Sequence, residues 1–126
     1  MLLSLFAIAE GATGLALLMV PTILLSLLLG TGQVGPEASV IGRLCGAALL
    51  AVAAASWGAR NDKGKQGTLG LLVGVTLYNC LATILLAYSA LVLELAGILL
   101  WPAVLYHAMT SLWCLVVTWR TSHAES

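Results

Sequence analysis

Residues 68–91 have the sequence TLGLLVGVTLYNCLATILLAYSAL, which contains no charged side chain. A bilayer core of about 30 Å needs about 20 helical residues at about 1.5 Å each, so this stretch is long enough to cross a membrane. Its apolar residues are continuous and do not alternate with polar ones, which favours a helix over a strand of a β-barrel. The stretch therefore predicts a transmembrane helix.

Three further apolar runs surround this stretch, at residues 2–29, 39–58 and 98–119. The first run is longer than a bilayer requires and contains Pro21, which predicts a tilt, a kink or an interfacial first turn. No basic segment precedes it, so we expect it to be a helix of the protein and not a cleaved signal peptide. Together the runs predict one domain over residues 1–126, an all-α integral membrane four-helix bundle.

The overall composition agrees with a membrane location and excludes a soluble domain. Of the 126 residues, 61% are hydrophobic and 8% are charged, whereas a soluble domain has about 25% charged residues. Five Lys and Arg balance five Asp and Glu, so the chain has no basic surface for nucleic acid. With linkers this short, the expected partners are the lipid bilayer and either further copies of this chain or a larger membrane complex.

The basic residues set the expected orientation. Four of the five lie in the linker 59–67 and at Arg120, and only Arg43, near the outer end of the second run, deviates. The linkers 30–38 and 92–97 contain an acidic residue and no basic one. Because cytoplasmic loops of membrane proteins are enriched in Lys and Arg, this asymmetry predicts that both termini are cytoplasmic (N-in and C-in) in a bacterial inner membrane. The linker residues concerned are Arg60, Lys63 and Lys65 on one side, and Glu37 and Glu94 on the other.

Glycines at helical spacing indicate where helices pack. Lipid tails are as apolar as Leu, so helices in a bilayer associate through close backbone approach and hydrogen bonds. Gly42 and Gly46 form one GxxxG step, Gly70 and Gly74 form another, and Gly14 lines the first run. We expect most of these glycines to pack within the four-helix unit, but the same motif also marks contacts between copies or with a partner. The sequence leaves both uses open.

Ionisable and strongly polar residues inside the predicted spans are candidate functional residues, because lipid does not solvate them. They are Glu10, Arg43, Asn79 and His107. Counting about 1.5 Å per residue places Glu10, Asn79 and His107 at about 12, 17 and 16 Å from the cytoplasmic face, so these three can share one layer. Arg43 lies about 6 Å from the outer face, where we expect it to extend outward or to meet Glu94.

Helical periodicity groups other polar residues with two of these candidates. Thr76 and Thr83 share a face with Asn79, and Ser111 shares a face with His107. One interpretation is a buried network in which Glu10, Asn79 and His107 satisfy one another and fix the helix register. The other is a ligand or proton site that uses the same residues.

Other kinds of chemistry are not expected. One His, one Glu and one Cys are too few for a convincing metal site, and the three cysteines form no CxxC pair. Ser111 lies one helical turn from His107, but a serine in a transmembrane helix more often bonds its own backbone than acts as a nucleophile. We therefore assign no catalytic residue, no metal site and no cofactor.

Two family resemblances arise from these residues. The segment AEGATG at residues 9–14 is similar to the first helix of small multidrug resistance transporters, in which a carboxylate exchanges protons within an antiparallel dimer. That resemblance implies a coupling role for Glu10. Arg43, Asn79 and His107 have no counterpart in it, and a strong orientation bias suits an antiparallel dimer poorly.

A broader pattern resembles DoxX-type and related bacterial four-helix membrane proteins. It consists of Pro21 late in the first helix, LGTG at 29–32 and GRLCGA at 42–47. The resemblance implies a four-helix fold and an accessory or quinone-linked role. The stretches 78–79 and 101–107 (YN and WPAVLYH) are the most distinctive part of the chain, and no activity attaches to either.

These observations predict an accessory or assembly subunit of a membrane complex. The alternative is a small proton-coupled transporter built around Glu10, and an enzyme that acts on quinone or lipid is a third possibility. Because so little of the chain lies outside the predicted spans, any activity must use the intramembrane surface or a groove between helices.

Overall fold

The computed structural model describes residues 1–62 and 66–123, which form five helices. Their bounds are α1 Leu2–Met19, α2 Pro21–Leu29, α3 Pro36–Ala59, α4 Gln66–Leu91 and α5 Leu100–His123. The all-α fold class is therefore confirmed. Lys63 and Lys65, which are predicted to be cytoplasmic, lie outside the described residues.

Four of the five helices are long and apolar enough to cross a membrane, judged by length and composition; they are α1, α3, α4 and α5. The second predicted run begins earlier than residue 39 because Pro36 occupies the first turn of α3, where its missing N–H is not needed. The last predicted run extends beyond residue 119, since α5 continues to His123.

The first predicted run is divided into two helices at Val20. This residue has φ −134° and ψ 54°, outside the helical region, and Pro21 starts α2 directly after it. Proline removes a backbone N–H and its ring collides with the carbonyl group of the residue four positions earlier, so a helix bends or ends there. The structure therefore has a break of the helix at Pro21; the tilt and the interfacial first turn, which depend on the position of the membrane, stay predictions.

The helices pack mainly as two pairs, α1 with α3 and α4 with α5. At the α1/α3 crossing, a Cβ atom added to Gly14 would lie 2.8 Å from the backbone oxygen of Gly46. A Cβ atom added to Gly46 would lie 2.6 Å from the backbone oxygen of Gly14. The two backbones are therefore in direct contact, and neither position has room for a side chain.

A buried apolar cluster joins the two pairs. The N-terminal half of α1 contributes Phe6, which is 2% exposed, and α4 contributes Val75, which is 1% exposed. Leucines of α1 and α4 and a cysteine of α5 complete the cluster: Leu2, Leu3, Leu72 and Cys114. This half of α1 therefore packs against α4 and α5, so a side chain on its inner face meets both helices.

The opposite end of the bundle is closed by the turn between α4 and α5, which packs on the end of α2. The backbone N–H of Leu99 donates to the carbonyl oxygen of Leu27 at 3.0 Å. Gly97 is buried against the backbone of Leu28, where an added Cβ atom would collide with the carbonyl group. Gly30 ends α2 with a φ of 72°, a left-handed conformation that glycine adopts without strain. These contacts connect the start of α5 to α2.

Candidate functional site around Glu10

Glu10 lies on the inner face of α1, in the part of the helix that packs against α4 and α5. It follows Phe6 and precedes Gly14 at intervals of four residues, and all three are buried. The Glu10 side chain is only 2% exposed. The helical repeat that places Phe6 in the core therefore places a carboxyl group there as well.

Two tyrosines surround this carboxyl group. The Tyr78 hydroxyl on α4 donates a hydrogen bond to Oε2 of Glu10 at 3.3 Å. The Tyr106 hydroxyl on α5 is buried close to the same carboxyl group and interacts with it electrostatically, but it forms no hydrogen bond of normal geometry. An ionised carboxylate has about four acceptor sites. Within the described part of the chain, Glu10 therefore has hydrogen-bonding capacity to spare.

Asn79 and His107 form the second polar contact of the site. Oδ1 of Asn79 lies 2.8 Å from Nδ1 of His107, and Nδ2 of Asn79 donates to the backbone oxygen of Val75 at 2.8 Å. An amide oxygen only accepts, so Nδ1 of His107 carries the hydrogen. In the neutral imidazole, Nε2 is then the acceptor.

Aromatic contacts connect the two polar groups. The Tyr78 ring meets the His107 ring edge-on at 5.5 Å between centroids, and the Tyr106 ring meets it at 5.0 Å. Phe6 contacts Tyr78 in the same way at 6.4 Å. Such edge-to-face pairs are a favourable geometry for aromatic rings. We call these six residues the Glu10 cluster: Phe6, Glu10, Tyr78, Asn79, Tyr106 and His107.

The structure brings the sequence-predicted residues together in part. Asn79 and His107 are hydrogen-bonded to each other, whereas the hydrogen-bond donor to Glu10 is Tyr78. Arg43 is exposed on α3 and, among the residues that the structure describes, forms no ion pair with a carboxyl group. It therefore takes no part in the Glu10 cluster and does not meet Glu94.

Tyr78 and Tyr106 are the functional candidates that the sequence reasoning missed. Each directly precedes a predicted site residue, Asn79 or His107, and each lies in one of the two stretches singled out as distinctive. The useful signal is that a tyrosine combines an apolar ring with a hydroxyl donor, which suits a carboxyl group buried among helices.

The hydroxyl groups at helical spacing bond their own backbones. Ser111 donates to the carbonyl oxygen of His107, and Thr110 donates to that of Tyr106, each at 2.8 Å. Thr76 and Thr83 make the same kind of bond on α4. These hydroxyls line the polar faces and donate to the carbonyl group one turn earlier in their own helix. Within residues 1–62 and 66–123, no three His, Cys, Asp or Glu side chains come close enough to hold a metal ion.

The two GxxxG motifs differ in their surroundings. Gly42 and Gly46 on α3 are buried, Gly42 against Leu25 of α2 and Gly46 against α1. A Cβ atom added to Gly70 or Gly74 on α4 would meet no atom within 4 Å in the described structure. The expectation of packing within the chain is therefore wrong for Gly70 and Gly74, and a contact with another molecule is the use that stays open.

An apolar groove runs along the bundle between α1 and α5, with a volume of about 350 Å³. Leu5 and Met109 line it and are 50% and 69% exposed, so one side of the groove is open to the surroundings of the protein. Tyr106 forms part of its wall. Because the Tyr106 hydroxyl lies close to Glu10, this tyrosine stands between the groove and the buried carboxyl group.

Comparisons of the chain with protein-family models, with curated proteins and with solved structures gave no match. The arrangement itself defines what the site can do. It offers a buried carboxyl group that can gain or lose a proton, a hydrogen-bonded imidazole and tyrosine hydroxyls, all beside an apolar groove. These groups can bind a hydrogen-bond donor or exchange a proton.

Proposed function

We propose that this chain is a small proton-coupled carrier of the membrane, in which a proton and a small amphipathic ligand compete for Glu10. The observation that carries the proposal is the state of this carboxyl group. Glu10 is 2% exposed and has one hydrogen bond, at 3.3 Å, among the described residues. A poorly satisfied ionisable group in an apolar bundle costs stability, which favours a functional role over a structural one.

The chemistry of a buried carboxyl group explains the competition. In its protonated form the group is neutral and needs few partners, whereas the ionised form needs hydrogen-bond donors or a cation. A ligand that brings a donor therefore favours the ionised form and displaces the proton. The likeness of residues 9–14 to small multidrug resistance transporters supports the same role for Glu10.

Proton release on ligand binding tests this proposal. The purified chain in weakly buffered detergent is mixed with alkylamines and alkanols of graded length, and a pH-indicator dye reports protons released. We expect release with the parent protein and none with Glu10→Gln. Glu37→Gln is the matched control, because Glu37 is an exposed carboxyl group at the start of α3. Equal release by Glu10→Gln and the parent would exclude Glu10 as the exchanging group.

A second function is favoured by the open glycines of α4. Gly70 and Gly74 lie on an open surface of α4, where an added Cβ atom would have no other atom within 4 Å in the described structure. Small residues on such a surface allow close contact with another helix in a membrane. We propose on this ground that the chain also acts as an accessory or assembly subunit, or as a homo-oligomer. The DoxX-type likeness of residues 42–47 supports the accessory role.

Native mass spectrometry of gently solubilised membranes separates these possibilities. An accessory subunit is expected in a complex with other chains, and a homo-oligomer as a multiple of its own mass. Recovery of the monomer alone under conditions that preserve other membrane complexes would contradict both.

We also propose a bacterial inner-membrane location with both termini in the cytoplasm. The asymmetry of basic residues supports it, and the Arg60 guanidinium lies 4.2 Å from the centre of the Trp57 ring, a pairing suited to a membrane interface.

In a variant without native cysteines, Gln33→Cys is expected to react with an impermeant thiol reagent on intact cells. Asn61→Cys is expected to be protected, and the reverse pattern would invert the topology.

A further inference from the structure

We propose that the groove between α1 and α5 is the entry route by which a ligand with an apolar body and a hydrogen-bond-donating head reaches Glu10 from the lipid, and that Tyr106 closes the inner end of this route. The inference rests on the proposed function, because it assumes that Glu10 binds a ligand. It adds the path, the size of the ligand's apolar body and the residue that controls access.

The shape of the groove indicates the apolar body. Leu5 and Phe6 line it from α1, and Met109 and Trp113 line it from α5. From Tyr106 to Trp113 the groove follows α5 for about 10 Å, at about 1.5 Å per residue. A volume of about 350 Å³ lies at the lower end of the range for small-molecule sites. The groove therefore suits one short hydrocarbon chain or one small ring system.

The groups at the inner end indicate the head. Glu10 has unused acceptor capacity, and the Tyr106 hydroxyl is buried without a hydrogen bond of normal geometry. A head group that donates a hydrogen bond can satisfy the carboxyl group and also offer an acceptor to Tyr106. A hydroxyl group can do both, whereas a cationic ammonium group has donors but no acceptor and can satisfy the carboxyl group only. A purely apolar molecule gains nothing at this end.

The position of Tyr106 indicates that it controls access. Its ring forms part of the groove wall, and its hydroxyl lies close to Glu10. That hydroxyl interacts with Glu10 and Thr110 without a hydrogen bond of normal geometry, so a rotation of the side chain breaks weak contacts and no full hydrogen bond. Such a rotation would connect the groove with the carboxyl group.

Dicyclohexylcarbodiimide is a suitable probe of the route, because it is apolar and reacts with protonated carboxyl groups. The acid adds across one C=N bond of the reagent, and the resulting O-acylisourea rearranges to a stable N-acylurea, so the whole reagent is retained and nothing leaves. Mass spectrometry of the full chain in lipid nanodiscs, followed by peptide mapping, gives the rate of labelling at Glu10.

Bulky substitutions on α5 provide the matched comparison. Met109→Trp narrows the groove at a position that is 69% exposed, whereas Leu112→Trp adds the same bulk at a position that is 65% exposed and does not line the groove. We expect Met109→Trp to slow labelling of Glu10 by about tenfold and Leu112→Trp to change it by less than about twofold. Tyr106→Ala is expected to speed labelling, because it removes the closing ring.

Three results would overturn the route. Unchanged labelling in Met109→Trp, or equal slowing in both tryptophan variants, would exclude entry through the groove. Labelling by a water-soluble carbodiimide at the same rate would indicate aqueous access instead. If Met109→Trp does not fold, as judged by size-exclusion chromatography, Leu5→Trp replaces it. Leu5→Trp narrows the groove from the α1 side and is expected to slow labelling of Glu10 in the same way.

Protection by ligands distinguishes failure of the route from failure of the proposed function. Decanol and decylamine carry the same chain with a neutral or a cationic donor head, and decane has no head. We expect decanol, decylamine or both to slow labelling of Glu10 and decane to have no effect; the more protective of the two donors identifies the head. If decanol or decylamine slows labelling of Glu10 in Met109→Trp as much as in the parent, the entry route is refuted, but ligand binding at Glu10 is not. Labelling through the groove without protection by either donor refutes ligand binding at Glu10.

Discussion

The two helix pairs of this protein are held together in different ways. In α1/α3, the backbones of Gly14 and Gly46 touch, and a Cβ atom on either would lie under 3 Å from the other's carbonyl oxygen. In α4/α5, a hydrogen bond of 2.8 Å joins Asn79 to His107, while Gly70 and Gly74 on α4 face away from any neighbour in the described structure. The GxxxG motif of α3 is thus covered by neighbouring helices, whereas the GxxxG motif of α4 is exposed in the described structure.

This difference shows that small residues and polar residues stabilise different helix contacts in the bundle. Where glycines allow backbone contact, dispersion forces act over many atoms and no polar bond is needed. In α4/α5, a polar contact between Asn79 and His107 joins the helices. The Glu10 cluster lies where α1 of the first pair meets the second pair, so its polar groups are not required for the tightest contact of the fold.

The largest effect is expected from filling the α1/α3 crossing. Gly46→Leu forces apart two backbones that have no space for a side chain, so we expect it to lower the free energy of unfolding by about 3 kcal/mol or more. Unfolding in mixed detergent and SDS micelles, followed by circular dichroism, measures the change. A variant as stable as the parent would show that α1 and α3 do not cross at these glycines.

An intermediate effect is expected from breaking the α4/α5 hydrogen bond. Asn79→Leu removes the partner of His107 and is expected to cost about 1 kcal/mol, because hydrogen bonds between transmembrane helices contribute about 0.6 kcal/mol on average and about 1.7 at most. His107→Leu alone is expected to cost a similar amount, and the double variant less than the sum. Additive losses would mean that the two side chains do not bond.

Much of this comparison could be predicted from the sequence, but not the partner of each residue. Run lengths and the absence of charge specify four long apolar helices, and Pro21 specifies a break. Depth counting at about 1.5 Å per residue correctly placed Asn79 and His107 within reach of each other. These predictions succeed because they depend on distance along one helix, which the chain itself determines.

The remaining features depend on how helices rotate against one another. Tyr78 and Tyr106 lie one residue before Asn79 and His107, which is about 100° around a helix of 3.6 residues per turn, so periodicity assigns them to a different face. They join the site because α4 contacts two helices at this level: Tyr78 meets Glu10 of α1, and Asn79 meets His107 of α5. For the same reason, spacing alone could not show that Gly46 is covered and Gly70 is open.

A smaller effect is expected within the Glu10 cluster, where the hydrogen bond between the pairs, from Tyr78 to Glu10, is long at 3.3 Å. Tyr78→Phe and Glu10→Gln are expected to couple by about 0.5 to 1 kcal/mol in a double-mutant cycle. Glu10→Gln and His107→Ala, which the structure does not join by a hydrogen bond, are expected to couple less. A larger coupling for the second pair would place the imidazole, and not Tyr78, beside the carboxyl group.

The smallest effect on folding is expected at the open glycine face, and it gives the sharpest contrast with Gly46. Gly70 has no atom within 4 Å of an added Cβ, so Gly70→Leu is expected to leave the free energy of unfolding of the monomer unchanged within about 0.5 kcal/mol, or to raise it slightly through helix propensity. The same substitution is expected to abolish any oligomer or complex that uses this face, since a leucine there holds a second helix away. Comparing Gly46→Leu with Gly70→Leu by unfolding and by native mass spectrometry therefore separates a contact inside the chain from a contact between chains. Loss of monomer stability in Gly70→Leu would show that α4 packs through its glycines within the fold, and the contrast between the two pairs would disappear.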